Sequence, residues 1–130
     1  MTVRAVVYSG DRNLRRYIVG SLCPTARLAF VESYPGLLAQ VVAGGVDLVI
    51  IDGDATPAGG VDVARHLKEE VGECPPILLV VARAADAWLA LTSKADATVG
   101  PGRHPFALAA AVSRLTAGSG PRSATSRCRR

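Results

Sequence analysis

The chain has 130 residues, 49% of them apolar, and a formal charge of +4; that is room for one domain with a real core and too little for two. The apolar share excludes a disordered chain, and no apolar run approaches the ~18 residues a bilayer span needs. The charge is local: Arg122, Arg127, Arg129 and Arg130 lie in a tail without acids, and the remaining 11 basic residues balance 11 acids.

The opening MTVRAVVYSG turns polar too early for a signal peptide. Within it, Arg4 to Tyr8 reads as a buried strand. Leu14, Tyr17, Ile18 and Leu22 then line one face of a helix. Ser9 or Asp11 can cap that helix, because a short side-chain oxygen satisfies its free N–H groups. Arg27 to Val31 is a second strand. Pro35 to Ala43 is a helix opened by proline and stopped by Gly44 and Gly45. Asp47 to Asp52 (DLVIID) is apolar on both faces, as a central parallel strand must be. Val61, Ala64, Leu67 and Val71 mark the next helix, before Gly72. Pro75 to Ala82 is a fourth strand, Ala84 to Ser93 a fourth helix, and Ala97 to Val99 a short fifth strand. Pro105 to Ala117 is the last helix, ended by Gly118.

Strand alternating with helix in this way, (βα)5, implies a parallel sheet covered on both sides. Such sheets gather their working residues beyond the carboxyl ends of the strands. That selects Tyr8 to Asp11, Asp52 to Asp54, Val81 to Arg83, and Gly100 to His104. The cysteines, Cys23, Cys74 and Cys128, are odd in number and show no CxxC spacing, so they read as reduced thiols of a cytoplasmic protein. His66 and His104 have no cysteine or acid at metal-ligand spacing, which argues against zinc.

The stretch DLVIIDGDATPAGGVDVARHL, Asp47 to Leu67, combines a strand-ending aspartate, a loop with proline and glycine, and an amphipathic helix. With it the chain resembles the receiver domain of bacterial response regulators, over Thr2 to Ala117. The resemblance implies an α/β, flavodoxin-like (βα)5 three-layer sandwich, its five-stranded parallel sheet in the order 2-1-3-4-5. Residues 2–117 form the receiver-like domain, and 118–130 a disordered basic Gly/Ser/Arg tail. Asp52 falls on the position that accepts a phosphoryl group from a histidine kinase. Gly60 matches the loop glycine, and Pro57 stands one place later than usual.

Other positions depart from the family. Receivers end the first strand with two acids that hold Mg²⁺, where this chain has Ser9 and Gly10. Val81 replaces the Ser or Thr that ends the fourth strand. Gly100 and Pro101 stand where a lysine precedes a proline, and the aromatic switch position holds Thr98. Asp11, Asp52 and Asp54 are weak candidates for a substitute metal site, and Arg103 for the missing lysine. Simpler roles exist: Asp11 caps a helix and Asp54 closes a turn.

IIDGDATP also fits the DxDxT motif of haloacid-dehalogenase-like phosphatases, with Asp52 as nucleophile and Asp54 as general acid/base. The rest of that machinery, and room for a cap domain, are missing. The glycines of AGGVD lack the company of a phosphate-binding motif and read as a turn into a helix.

The expectation is an atypical single-domain response-regulator-like protein, not an enzyme, that acts through a protein partner or self-association. The contact face would lie on the fourth and fifth helices, with Trp88, Arg103 and His104 as candidates. Phosphorylation control is expected to be weak or absent, with Mg²⁺ the one cofactor implied and bound weakly. The alternative is a stand-alone regulator phosphorylated on Asp52 by a histidine kinase. A DNA-binding domain and a membrane anchor are not expected.

Overall fold

A computed structural model of the chain describes residues 3–22, 26–53, 60–81, 95–100 and 105–118. The predicted helix at Ala84 to Ser93, the tail from residue 119 onward, and Asp54, Trp88, Arg103 and His104 lie outside the described residues.

The elements in chain order are β1 (Val3–Tyr8), α1 (Arg12–Leu22), β2 (Ala26–Val31), α2 (Tyr34–Ala43), β3 (Leu48–Asp52) and α3 (Gly60–Glu70). They continue with β4 (Ile77–Val80), β5 (Ala97–Val99) and the last helix, here α4 (Pro105–Gly118). The five strands form one parallel sheet in the order β2-β1-β3-β4-β5, as expected. Among the described residues no helix is long and apolar enough to cross a membrane.

Strand side chains alternate between the two faces, and two cores result. Ala5 and Val7 of β1, Leu48 and Ile50 of β3, and Leu78 and Val80 of β4 face α1 and α4, meeting Leu14, Ile18, Leu108 and Ala111. Val6, Tyr8, Val49, Ile51, Ile77 and Leu79 face α2 and α3, meeting Leu37, Val41, Val63, Ala64 and Leu67. All five residues of β3 are buried, which fits its place in the middle of the sheet and its unbroken apolar run.

The helix ends follow local chemistry. Asp11, rather than Ser9, caps α1: its Oδ1 accepts from the Asn13 N–H at 2.9 Å and its carbonyl from the Arg15 N–H at 3.0 Å. Ser33 caps α2 by accepting from the Gly36 N–H at 3.2 Å, so the helix starts at Tyr34, one residue before the expected Pro35. Gly44 and Gly45, at φ of 89° and 80°, end α2 in the backbone region that favours glycine. β4 starts at Ile77 and not at Pro75, since neither Pro75 nor Pro76 has an N–H for a ladder. α4 runs on to Gly118, one residue into the expected tail.

Cys74 is half-buried and free, and burial pushes its thiol pKa up, so it is a poor nucleophile at neutral pH. His66, on α3, sets its Nδ1 3.2 Å from the Asp62 carbonyl oxygen, and its ring centre lies 6.0 Å from that of Tyr34. Burial, and then the hydrogen bond its hydroxyl donates to Glu70 Oε1 at 2.5 Å, push the Tyr34 pKa up to about 12.

Candidate functional site

The strand register decides which side chains meet Asp52. Tyr8 pairs with Ile51, so the next residues, Ser9 and Asp52, stand side by side where β1 and β3 end. Both are buried, Ser9 at 1% and Asp52 at 8% exposure, and they are the polar members among the buried described residues. The Ser9 hydroxyl donates to Asp52 Oδ2 at 3.2 Å. Its oxygen also accepts from the Asp11 N–H at 3.0 Å. The Ser9 side chain is thus tied to both the carboxylate and the backbone that leads into α1.

Arg15 closes this corner from α1. Its Nε donates to the Ser9 carbonyl at 2.9 Å, and one terminal nitrogen pairs with Glu32 Oε2 at 2.7 Å. Its guanidinium carbon lies 5.1 Å from the centre of the Phe30 ring, a cation–π distance. The ion pair is solvent-exposed, with Arg15 at 31% and Glu32 at 68%, so its pull is small and its role is to hold position. Neither Arg15 nor Glu32 stood out in the sequence. Their meeting depends on how α1 turns a residue seven after Tyr8 back over the strand end.

On the other side, Asp52 pairs with Val80. Val81 follows it, 3% exposed and packed into the α2/α3 core. Its N–H donates to the Val99 carbonyl at 2.9 Å, but its side chain offers no donor to the pocket. Thr98 pairs with Leu79 on β5 and is half-buried. Gly100 has open space where a side chain would project. The structure therefore brings Ser9, Asp11, Asp52 and Val81 to one end of the sheet.

Gly53 explains why the strand turns where it does. Its N–H donates to the Val80 carbonyl at 2.7 Å, and a Cβ added there would stand 2.9 Å from that same oxygen. Backbone cannot yield as a flexible side chain can, so Gly53→Ala should cost about 1–3 kcal/mol. Gly10→Ala is the control, because its Cβ would meet only Glu32 Oε1, at 3.9 Å. Thermal unfolding should show Gly53→Ala well below Gly10→Ala; equal midpoints would refute the steric argument.

No family model matches the chain. It is 37% identical over 117 residues to an uncharacterized response regulatory protein of Mycobacterium tuberculosis strain ATCC 25618 / H37Rv, covering 85% of this chain and 88% of the relative. The corresponding protein of strain CDC 1551 / Oshkosh matches to the same extent. Among solved structures, a Francisella response regulator receiver domain superposes with a TM-score of 0.76 at 14% identity, over 90% of this chain and 98% of that one. A LuxR-family two-component response regulator from Aurantimonas sp. SI85-9A1 gives 0.75 at 20%, over 91% and 87%. A chain of the complex between histidine kinase ThkA and response regulator TrrA gives 0.72 at 22%, over 87% and 97%. These structural likenesses establish the fold, and the identity to the mycobacterial proteins establishes the kinship: the chain belongs to the response regulator family, as a receiver domain of two-component signalling.

Proposed function

We propose that this receiver is atypical: it signals by binding a protein partner or a second copy of itself, with phosphoryl transfer to Asp52 weak or absent. The observation that carries this reading is the Ser9 hydroxyl donating to Asp52 at 3.2 Å, at the strand end where the family places acids. Mg²⁺ requires several hard oxygen ligands and neutralises charge on a transferred phosphoryl group. Among the described residues the end of β1 supplies a hydroxyl and Gly10, while Asp11 Oδ1 accepts from the Asn13 N–H. That donor set fits Mg²⁺ poorly. Val81 adds no hydroxyl for a phosphoryl oxygen. On this reading the domain is a cytoplasmic signalling module and not a catalyst.

A stand-alone regulator phosphorylated on Asp52 is the second reading, favoured by the carboxylate's place at the end of the central strand. A phosphatase using Asp52 and Asp54 would depend on a residue outside the described ones. Incubation with a small acyl-phosphate donor and Mg²⁺, followed by intact-mass measurement, separates the first two. No added phosphoryl mass is expected. A Mg²⁺-dependent adduct, lost in Asp52→Asn, would replace the first reading with the second.

A further inference from the structure

At the opposite end of the sheet, we infer a phosphate-binding notch built by Arg4 and Arg27. The two residues are direct partners on the parallel strands β1 and β2. Neighbouring strands lie about 4.8 Å apart and paired side chains share a face, so two guanidinium-bearing stems leave the sheet side by side. Directly paired like charges are unfavourable when nothing lies between them.

Arg15 pairs with Glu32, Arg65 with Asp62 and Lys68 with Asp96. Arg4 and Arg27 make no ion pair among the described residues. Asp47 is the neighbouring acid, and its Oδ2 accepts from the Arg4 backbone N–H at 3.0 Å. Arg4 and Arg27 flank a cavity of about 130 Å³ whose remaining lining includes Val6, Ala29, Gln40 and Val46. No carboxylate lines it.

The turn after α2 makes room for the arrangement. A Cβ on Gly45 would fall 2.8 Å from a terminal nitrogen of Arg4, so the glycine seats the guanidinium against the backbone. A cavity of this size has room for a single tetrahedral oxyanion. Two guanidinium groups and the Gln40 amide are donors of the kind phosphate oxygens accept. The notch lies about 16 Å along the strands from Asp52, reckoned from the register, so it is separate from the receiver site and does not rest on the reading of Asp52.

Amide shifts of the full chain, followed by NMR during titration with inorganic phosphate at ionic strength held constant with chloride, test this. Saturable shifts are expected at residues 4–6, 27–29 and 44–46. Phenyl phosphate should produce the same pattern if the ligand is a phosphate ester, and no response if only free phosphate fits. Arg27→Gln, an exposed change on an edge strand, should weaken binding about tenfold, as should Arg4→Gln. Linear shifts without saturation, unchanged affinity in both variants, or shifts confined to residues around Asp52 would overturn the notch.

Discussion

Replacing Ser9 and Gly10 with aspartate should convert the chain into one that binds Mg²⁺, tightening its affinity by about 10–100-fold over wild type. Space is available: a Cβ at Gly10 meets nothing closer than Glu32 Oε1 at 3.9 Å. Ser9 already stands beside Asp52 at 3.2 Å. Two more carboxylates there attract a divalent cation by several kcal/mol each before their mutual repulsion is charged against them, at an effective dielectric near 20. That repulsion gives the experiment a second readout. Like charges raise a carboxyl pKa in the folded state. The variant should therefore melt below wild type at neutral pH, with the penalty fading as pH falls through the raised value. Mg²⁺ should restore the midpoint, since a ligand of the native state stabilises by mass action. Calorimetric titration measures the first effect and thermal unfolding the second. A variant that gains neither Mg²⁺ affinity nor Mg²⁺-dependent stability would show that residues beyond the strand end, and not the lost acids, govern this pocket.

Much of this architecture is legible in the residues because burial leaves a simple mark. The unbroken LVII of β3 and the AVVY run of β1 report a sheet covered on both sides, and Gly44 and Gly45 report a turn at positive φ. Asp52 could be placed at a strand end by the same logic. The Ser9 contact could not, because it depends on register: shifting β1 by one residue would swap Ser9 for Tyr8 beside Asp52 and reverse both faces. The Arg15 corner was hidden for a related reason. A long side chain folding back over its own strand leaves no periodic signal, and its partners Ser9 and Glu32 come from two different strand ends. The same holds for Arg4 and Arg27, which are 23 residues apart in sequence and adjacent only through β1–β2 pairing. The sequence offers Ser9 and Asp11 alike as the cap of α1, and the register settles that too. Ser9 is held by Asp52, so Asp11 is left to face the helix.

Ile50→Ala should be among the most destabilising single changes in the domain, at about 3–4 kcal/mol. Ile50 is fully buried at the centre of the sheet, between Val7 and Leu78 in the register. Leu14, Ile18 and Leu108 belong to the same core, from α1 and α4. At roughly 4 °C per kcal/mol for a domain of this size, the unfolding midpoint should fall by about 12–16 °C. Val42→Ala is the control: that side chain is 69% exposed, so its loss should change stability by less than about 0.5 kcal/mol. The consequence reaches the site. Ile50 and Asp52 lie two residues apart on one strand and therefore on one face, and Val7 and Ser9 keep the same spacing at the end of β1. Ser9 and Asp52 are thus the polar top layer of the column that Val7, Ile50 and Leu78 build. A cavity one layer down removes the support that fixes the hydroxyl against the carboxylate. Amide hydrogen exchange at Gly53, whose N–H is held by the Val80 carbonyl, should then accelerate by more than the global loss of stability accounts for. If Gly53 exchanges only in step with global unfolding, the Ser9–Asp52 contact draws its rigidity from its own hydrogen bonds and not from the core beneath it.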